Sequence, residues 1–411
     1  MTATMMGTNG ERRSFHTLDA LRGIAAIAVI GLHAHDQTLA RLLPRSYLAV
    51  DLFFMLSGFV LALAYGARLA DGLSAGRFML MRAIRLYPLY MASILFGITA
   101  LLTHLLVPDP HYSPMRILAT AGAALLLVPV PPAVSVGPGT LFPINHPSWS
   151  LFFELAANLL FALLARRLGN RVLAMLILAG VAANIAAVIA FGSLEAGYNW
   201  GSIWAGAGRT LFGFFGGVAL ARIWQTTDRR IVLPPLLILA APVAMFAIPT
   251  KGPLDGVIDL ALTIVAFPLL LLVAAASAPD KRWSAAFDEL GTASYGIYIL
   301  QMPAIFLVAW MAEHLFGIDD HRLGVAGTIA VILLAWGAAR TLHRHYDLPM
   351  RARLRARLLA GESHRQPSHR NDGPSAARFQ SDFAPDGLIR QLEHHGKQRN
   401  AGLIPVQSEP G

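Results

Sequence analysis

The sequence contains no cysteine, and charged residues make up only 14% of its 411 residues. The missing thiols exclude disulfides, thiolate metal sites and a cysteine nucleophile. A soluble domain carries about twice this charged fraction. Hydrophobic residues reach 55%, the mean hydropathy is +0.54, and apolar runs long enough to cross a bilayer recur along the chain. The composition therefore predicts an all-α integral membrane protein.

Ten apolar segments are predicted to span the membrane as helices. Arginine collects in alternate loops between them. The positive-inside rule therefore places both termini in the cytoplasm of a multi-pass protein of the cell's inner membrane. The same bias explains the net charge of +9, so nucleic acid binding is not expected. The approximate bounds of the spans are 18–38, 47–67, 85–107, 148–165, 171–191, 205–223, 231–249, 256–276, 291–314 and 322–342.

A shorter apolar segment, residues 116–130, ends in prolines and is predicted to be an interfacial or re-entrant helix on the outer side. No cleavable signal peptide and no internal repeat are apparent. The last part of the chain lacks apolar periodicity, and its composition predicts disorder. The expected organisation is a cytoplasmic segment at 1–17, a membrane domain at 18–355 and a polar cytoplasmic tail at 356–411.

Two ionisable residues, Arg22 and His33, lie eleven positions apart within the first predicted span. At about 100° per residue, eleven steps bring both side chains to nearly the same helix face. At about 1.5 Å per residue they differ in depth by roughly 16 Å. A charged group inside a bilayer costs several kcal/mol without a partner or a water-filled cavity. Two of them on one face predict a polar path through the membrane.

Glu154 is expected at the same depth as His33. Each is predicted to lie about 9 Å below the outer edge of a core about 30 Å thick. A base-capable histidine and a carboxylate could then share one cavity, although separate structural hydrogen bonds could also satisfy each of them. Ser150 shares a helix face with Glu154. Trp149, taken alone, suits an interfacial anchor better than a site wall.

Arg82 and Arg85 are predicted at the cytoplasmic entrance of the third span, with Pro88 in its first turn. Because they are three residues apart, both guanidinium groups face one way. Two explanations stay open. The positive-inside bias accounts for two arginines, and a phosphate clamp would use their paired hydrogen-bond donors.

Several polar residues are predicted near the outer ends of spans. Asp51 begins an apolar helix in which Ser57 and Gly58 are expected to permit close packing. No spacing typical of metal ligands is present. Three further polar residues near outer span ends are Arg209, Asp255 and Asp259. They could line an entrance for the acceptor, but they are expected to be end residues whose charged groups snorkel to the membrane surface.

Six motifs follow one another along the chain: R-x10-H at 22–33, D-x-FF-x-L-S-G-F at 51–59, R-x-x-R-x-x-P at 82–88, S-W-S-L-x-x-E at 148–154, LGTASYGIYILQMP at 290–303 and YDLPMR at 346–351. In sequence and order they resemble the motifs of the membrane-bound acyltransferase-3 family, which includes O-antigen acetylases and other sugar O-acyltransferases. Gln301 stands where the family often has histidine, and Asp347 stands where glutamate is usual. Glutamine cannot act as a base, so no proton transfer is expected at position 301.

The resemblance implies a ten-helix enzyme that uses acyl-CoA, with acetyl-CoA as the expected donor. It implies that Arg82 and Arg85 bind the donor phosphates and that Arg22 stabilises the pantetheine end or the thioester oxygen. His33 is then the general base, and Glu154 orients the acceptor or stabilises the imidazolium. Acyl-CoA is a co-substrate here, and no metal or tightly bound cofactor is implied.

The implied acceptor is a sugar hydroxyl on a surface polysaccharide, a lipid-linked glycan, a glycolipid or a small glycoside. Asp51, Trp149 and Ser150 are expected to contact the acceptor or to form the wall of the site. Without cysteine or a Ser–His–Asp arrangement, direct transfer is simpler than an acyl-enzyme.

A proton-coupled transporter is the alternative, with His33, Glu154 and Asp259 relaying protons across the membrane. Such transporters usually show related halves and broken helices. A membrane scaffold without catalytic activity would leave Arg22 and His33 unexplained.

Overall fold

The computed structural model describes residues 4–6, 12–34, 37–104, 112–226, 233–250, 252–277, 281–319 and 322–359. The chain divides into two units, Met1–Ala356 and Arg357–Gly411. In the second unit only residues 357–359 are described. The predicted disordered tail therefore lies outside the described residues.

The described chain is helical apart from one short antiparallel pair of strands, in which Thr4–Met6 pairs with Arg12–Ser14. Single 3-10 turns occur at Ser46–Leu48, Pro132–Val134 and Trp200–Ser202. The helices are α1 (His16–His33), α2 (Gln37–Leu42), α3 (Ala49–Ala70), α4 (Ala75–Thr103), α5 (Pro114–Leu125), α6 (Ser148–Leu164), α7 (Asn170–Phe191), α8 (Ile203–Gln225), α9 (Pro235–Phe246), α10 (Asp255–Ala261), α11 (Phe267–Ala276), α12 (Lys281–Phe316), α13 (Gly324–Leu342) and α14 (Leu348–Leu358).

Two π-helical turns join neighbouring helices into longer units. Leu262–Ala266 connects α10 to α11, and His343–Asp347 connects α13 to α14. A π turn inserts an extra residue into the helix and often accompanies a functional site. The second π turn carries Asp347, which belongs to the site described below.

Within the described residues, seven helical units are long and apolar enough to cross a membrane. The all-helical membrane class is therefore confirmed, whereas ten spans are not. The three predicted spans outside this set are α1, α6 and α9. α1 has 18 residues and carries Asp19 and Arg22, while α6 has 17 residues and α9 has 12.

The surface of the helical unit is strongly apolar. Ile189 is 80% exposed and Leu178 is 66% exposed, both on α7. Several helices carry similar side chains, including Met115 and Leu118 on α5. Large exposed apolar surfaces of this kind mark contact with a membrane or a partner. Together with the seven long apolar helices, they make this a multi-pass membrane protein.

Two predicted boundaries are corrected by local capping. α4 begins at Ala75, ten residues before the expected start, because the Ser74 side chain accepts a hydrogen bond from the Arg77 backbone N–H. Pro88 consequently lies inside the helix and not in its first turn. α5 ends at Leu125, and Leu127 has a positive φ of 54°, so the helix stops short of residue 130.

Close helix contacts occur where glycine leaves room for a backbone. A Cβ atom at Gly58 of α3 would lie 1.9 Å from the carbonyl oxygen of Phe214 on α8. At Gly217 it would lie 2.1 Å from the carbonyl oxygen of Met55. Small residues allow membrane helices to approach in this way. The packing role predicted for Gly58 is confirmed.

Gly58→Ala should lower the free energy of unfolding by about 1–3 kcal/mol, because the added methyl group forces α3 and α8 apart. Gly66→Ala on the same helix is the matched control, since its Cβ would meet nothing within 4 Å. Thermal unfolding in detergent measures both variants. Equal midpoints for the two would mean that the α3–α8 contact adapts without loss.

Candidate active site

Arg22 links α1 to α12. Its Nη2 donates to Asp19 Oδ1 at 2.6 Å and to the Gly291 carbonyl at 2.9 Å, and its Nε donates to Ser294 Oγ at 2.9 Å. The approach is close because Gly291 faces Asp19, where a Cβ would lie 2.3 Å from that of the aspartate. The charge of Arg22 is therefore neutralised by Asp19, in its own helix.

A cavity of about 150 Å³ lies between α1, α3, α4, α6 and α12. Arg82 Nη2 and Ser57 Oγ both donate to Glu154 Oε1 in its wall, at 2.8 Å and 2.7 Å. The sequence predicts only a packing role for Ser57, whereas the structure places its hydroxyl group in the wall of the cavity. The polar lining residues are Arg22, Ser57, Arg82, Arg85, Ser150, Glu154, Ser294, Tyr295 and Tyr298.

Arg85 differs from the neighbouring arginines because no carboxylate of the described residues is bound to it. Its electrostatic neighbours include Arg351, Arg22 and Arg82, followed by Asp347. Within the described part of the chain no hydrogen bond or ion pair to Arg85 is found. The other three arginines each pair with a carboxylate, as Arg22–Asp19, Arg82–Glu154 and Arg351–Asp347.

Arg351 lies on α14, late in the chain, and is an electrostatic neighbour of Arg85. Its Nη2 lies 2.5 Å from Asp347 Oδ2, which also accepts a hydrogen bond from His343 Nδ1 at 2.8 Å. Both partners of the ion pair are almost fully buried. The motif YDLPMR contains these residues, but their place beside Arg85 could not be inferred from spacing alone. The aspartate performs the pairing that a glutamate at this position could also perform.

His33 lies apart from the cavity lining. Its Nδ1 donates to the Val29 carbonyl at 3.1 Å, and its Nε2 lies 3.4 Å from His146 Nδ1. The amide of Gln301 is a further neighbour. Glu154 instead binds Arg82 and Ser57. The expected pairing of His33 with Glu154 is therefore wrong, and His146 takes the place of the carboxylate.

Two hydroxyl groups in the wall of this cavity, called the arginine cavity from here on, lie close to the segment that carries His146. Ser150 Oγ lies 2.7 Å from Tyr298 Oη, and both hydroxyls contact the Pro147 carbonyl, at 3.0 Å and 3.3 Å. Tyr298 also accepts a hydrogen bond at its carbonyl from Gln301 Nε2 at 2.7 Å. Ser150 thus lines the same cavity as Glu154, with which it was expected to share a helix face, and it contacts α12 through Tyr298.

Asp51 and Trp149 do not line the cavity. Asp51 is fully buried and binds Arg209 through two contacts, Oδ2 to Nη2 at 2.6 Å and Oδ1 to Nε at 3.1 Å. The Arg209 guanidinium lies 5.4 Å from the centre of the Trp149 ring, which is only 5% exposed. Asp51 and Trp149 therefore pack around a buried cation. The burial of Trp149 contradicts an interfacial anchor, whereas the acceptor contacts expected of Asp51 and Trp149 stay predictions.

Asp259 lies in a second buried network, to which the partly exposed Asp255 is also bound, and neither residue snorkels. Arg45 binds both carboxylates, at 2.7 Å and 2.5 Å, and the Tyr47 hydroxyl donates to Asp259 as well. Asp259 and Arg45 are completely buried. Arg209 is likewise 1% exposed. A proton relay through Asp259 would have to break this network, which argues against the transporter interpretation.

Comparison with known proteins identifies the family. Residues 15–340 match the family described as the acyltransferase domain, Acyl_transf_3. The chain belongs to the acyltransferase-3 family. It is an acyltransferase that transfers groups other than aminoacyl groups. The predicted resemblance is thereby confirmed.

One relative of this acyltransferase-3 protein is "Protein 2 in picA locus" of Rhizobium radiobacter. The two are 40% identical over 157 residues, which cover 36% of this chain and 81% of the relative. The name of the relative states a locus and no reaction. No solved structure matches the chain.

Proposed function

We propose that this acyltransferase-3 protein transfers an acyl group, with acetyl as the expected case, from acyl-CoA to a sugar hydroxyl. The observation that carries the donor assignment is Arg85, a cation that lines the cavity without a bound carboxylate. A guanidinium in such surroundings costs several kcal/mol unless water or an anion compensates it. A phosphate of the donor supplies that anion.

The neighbouring arginines support a phosphorylated donor in particular. Arg82 and Arg85 are three residues apart on α4, and Arg22 faces the same cavity. Guanidinium groups bind phosphate oxygens with pairs of hydrogen bonds. Because the carboxylates of Glu154 and Asp19 hold Arg82 and Arg22 in fixed orientations, these donors are preorganised. Glu154 acts here as the counter-ion of Arg82.

The chemistry takes place at the other end of the polar path. The donor's phosphates bind at the arginine cavity, and its acyl arm extends past Ser150 and Tyr298 toward His33. A proton leaves the acceptor hydroxyl for the histidine centre while its oxygen attacks the thioester carbonyl. The C–S bond then breaks and coenzyme A leaves. No acyl-enzyme is formed.

The proposal includes the number of membrane spans and the orientation of the protein in the membrane. Ten spans with both termini in the cytoplasm of an inner-membrane protein bring the arginine cavity within reach of cytosolic acyl-CoA. The histidine end then faces the outer side. The acceptor is a surface polysaccharide, a lipid-linked glycan, a glycolipid or a glycoside, and it approaches from that side.

Donor binding is tested by thermal unfolding of the purified protein in detergent with acetyl-CoA and with S-acetylpantetheine, which lacks the phosphates. Acetyl-CoA at about 100 times its Kd should stabilise the protein by about 2.7 kcal/mol. S-acetylpantetheine at the same concentration should give little stabilisation, because it cannot engage Arg85.

Equal stabilisation by acetyl-CoA and S-acetylpantetheine would contradict the proposal, because it would mean that the cavity does not recognise phosphate. Failure of acetyl-CoA and longer acyl-CoAs to stabilise the protein would reject acyl-CoA as the donor. Free thiol release on addition of sugar hydroxyls then measures transfer in the samples that bind.

A further inference from the structure

The hydrogen bonds of His33 fix which of its nitrogens carries hydrogen. Nδ1 lies 3.1 Å from the Val29 carbonyl, and a carbonyl oxygen can only accept. Neutral His33 therefore has its hydrogen on Nδ1 and a lone pair on Nε2. That lone pair points at His146 Nδ1, 3.4 Å away, and not at open space.

The contact with His33 also determines which ring nitrogen of His146 carries hydrogen. Because His33 Nε2 is an acceptor, His146 Nδ1 is the donor of this contact, and the lone pair of His146 lies on Nε2. Within the described residues Nε2 of His146 makes no hydrogen bond, and the residue is half-buried. Burial, and then the nearby His33, lowers the pKa of His146 to about 4, so it is neutral at physiological pH.

The surroundings hold His146 in position without occupying this nitrogen. Its ring lies 5.4 Å from that of His33 and 5.0 Å from that of Tyr198. The loop before α6 is tied to the segment before α8, where Leu141 N donates to the Tyr198 carbonyl at 3.1 Å. His146 itself lies two residues before the first turn of α6.

We propose that His146 is a catalytic residue, whose Nε2 takes the proton from the acceptor hydroxyl, while His33 is the positioning residue that receives the proton in turn. This inference rests on the acyl transfer proposed above and assigns a second residue to its base. It differs from the sequence-based hypothesis, in which His33 contacts the acceptor directly.

The acceptor O–H proton moves to His146 Nε2 as the hydroxyl oxygen forms a bond to the thioester carbonyl carbon. The Nδ1 hydrogen of His146 moves to His33 Nε2, which leaves His146 neutral and makes His33 an imidazolium. When the C–S bond breaks, the coenzyme A thiolate leaves with the electron pair. It takes the proton back through the same two rings.

Gln301 fits this relay better than a third histidine would. Its amide lies beside His33, and its Oε1 atom is buried without a hydrogen-bond partner among the described residues. A carbonyl oxygen stabilises a neighbouring imidazolium and has no proton of its own to give up. With glutamine at position 301, the proton has a single route in this proposal, from His146 to His33.

The first test does not need turnover. Diethyl pyrocarbonate acylates unprotonated imidazole nitrogens that are not hydrogen-bonded, and peptide mass spectrometry locates the modified histidines. His146 should be modified at Nε2, while His33, with both nitrogens engaged, should react at least tenfold more slowly. Exposed His314 serves as the reactive reference. Faster modification of His33 than of His146 would overturn the assignment.

The second test compares glutamine variants by thiol release from acetyl-CoA in a maltoside detergent, whose sugar hydroxyls serve as acceptors. His146→Gln should lower the rate by about 100- to 10,000-fold, the usual contribution of a general base. His33→Gln keeps an acceptor for His146 Nδ1 and should lose less. His314→Gln is the matched control and should match wild type.

Stabilisation by acetyl-CoA separates this inference from the function on which it rests. If acetyl-CoA binds and wild type releases thiol, a His146→Gln rate within tenfold of wild type would reject His146 as the base. If acetyl-CoA does not bind, the donor proposal fails, and the diethyl pyrocarbonate pattern still decides which histidine has the open nitrogen.

Discussion

Asp51→Asn should lower the free energy of unfolding by about 3–5 kcal/mol, because it leaves the Arg209 cation buried without a counter-ion. The asparagine keeps the size of the side chain, so the loss comes from charge and not from a void. Arg209 would retain its hydrogen bonds to the carbonyls of Ala196 and Tyr47. Those two carbonyls cannot neutralise a full positive charge. Thermal and denaturant unfolding in detergent measure the effect.

The matched control is Asp71→Asn, at the exposed end of the same helix. It should change stability by less than about 0.5 kcal/mol, as expected for an exposed substitution. The double variant Asp51→Leu, Arg209→Met removes both charges and should be more stable than either single variant, because the pair is coupled.

The opposite result has a specific meaning. If Asp51→Asn unfolds like Asp71→Asn but raises the KM for the acceptor, Asp51 contacts the acceptor, as the sequence suggested. If the double variant loses as much stability as the sum of the two single variants, Asp51 and Arg209 act independently.

The helical class and much of the arginine cavity follow from local sequence patterns. Apolar runs predict helices, and a spacing of three residues directs Arg82 and Arg85 to one side of α4. The same periodicity places Ser150 and Glu154 on one face of α6. All four of these residues line the cavity. Patterns of this kind depend only on helix geometry, which the sequence determines over short distances.

Pairing between distant residues could not be predicted in the same way. Asp51 and Arg209 are 158 positions apart, and His33 and His146 are 113 apart. Each buried charge required a partner on energetic grounds. Which partner it has depends on how the helices pack. The snorkelling expected of Asp259 failed for this reason, because Arg45 and Tyr47 supply a buried alternative.

The mistaken pairing of His33 with Glu154 has a geometric cause. Glu154 lies at the predicted depth of His33 only if α6 begins at the membrane edge. In the structure His146, two residues before α6, already contacts His33. Glu154, six residues into the helix, then lies about 9 Å beyond its start along the helix axis. It reaches Arg82 at the level of the cavity, and a histidine outside the helix takes the expected position.

Arg85→Gln and His33→Ala should separate donor binding from chemistry, because Arg85 lines the arginine cavity and His33 does not. Loss of a hydrogen bond to a charged group costs about 1.5–3 kcal/mol, so Arg85→Gln should weaken acetyl-CoA binding by roughly 10- to 150-fold. His33→Ala should leave that affinity unchanged and lower the rate of thiol release by about 100- to 10,000-fold. Ligand-induced thermal shifts and single-turnover rates measure the two effects.

Arg77→Gln is the control for charge, since Arg77 is exposed on the same helix as Arg85 and does not line the cavity. It should preserve both affinity and rate. Unchanged acetyl-CoA affinity in Arg85→Gln would show that the cation in the cavity serves another anion. Substantial thiol release by His33→Ala would remove His33 from the reaction. A general disturbance of the fold would lower both the acetyl-CoA affinity and the rate of thiol release in both variants. Loss of affinity in Arg85→Gln and loss of rate alone in His33→Ala therefore require that donor binding and reaction take place at different parts of the site.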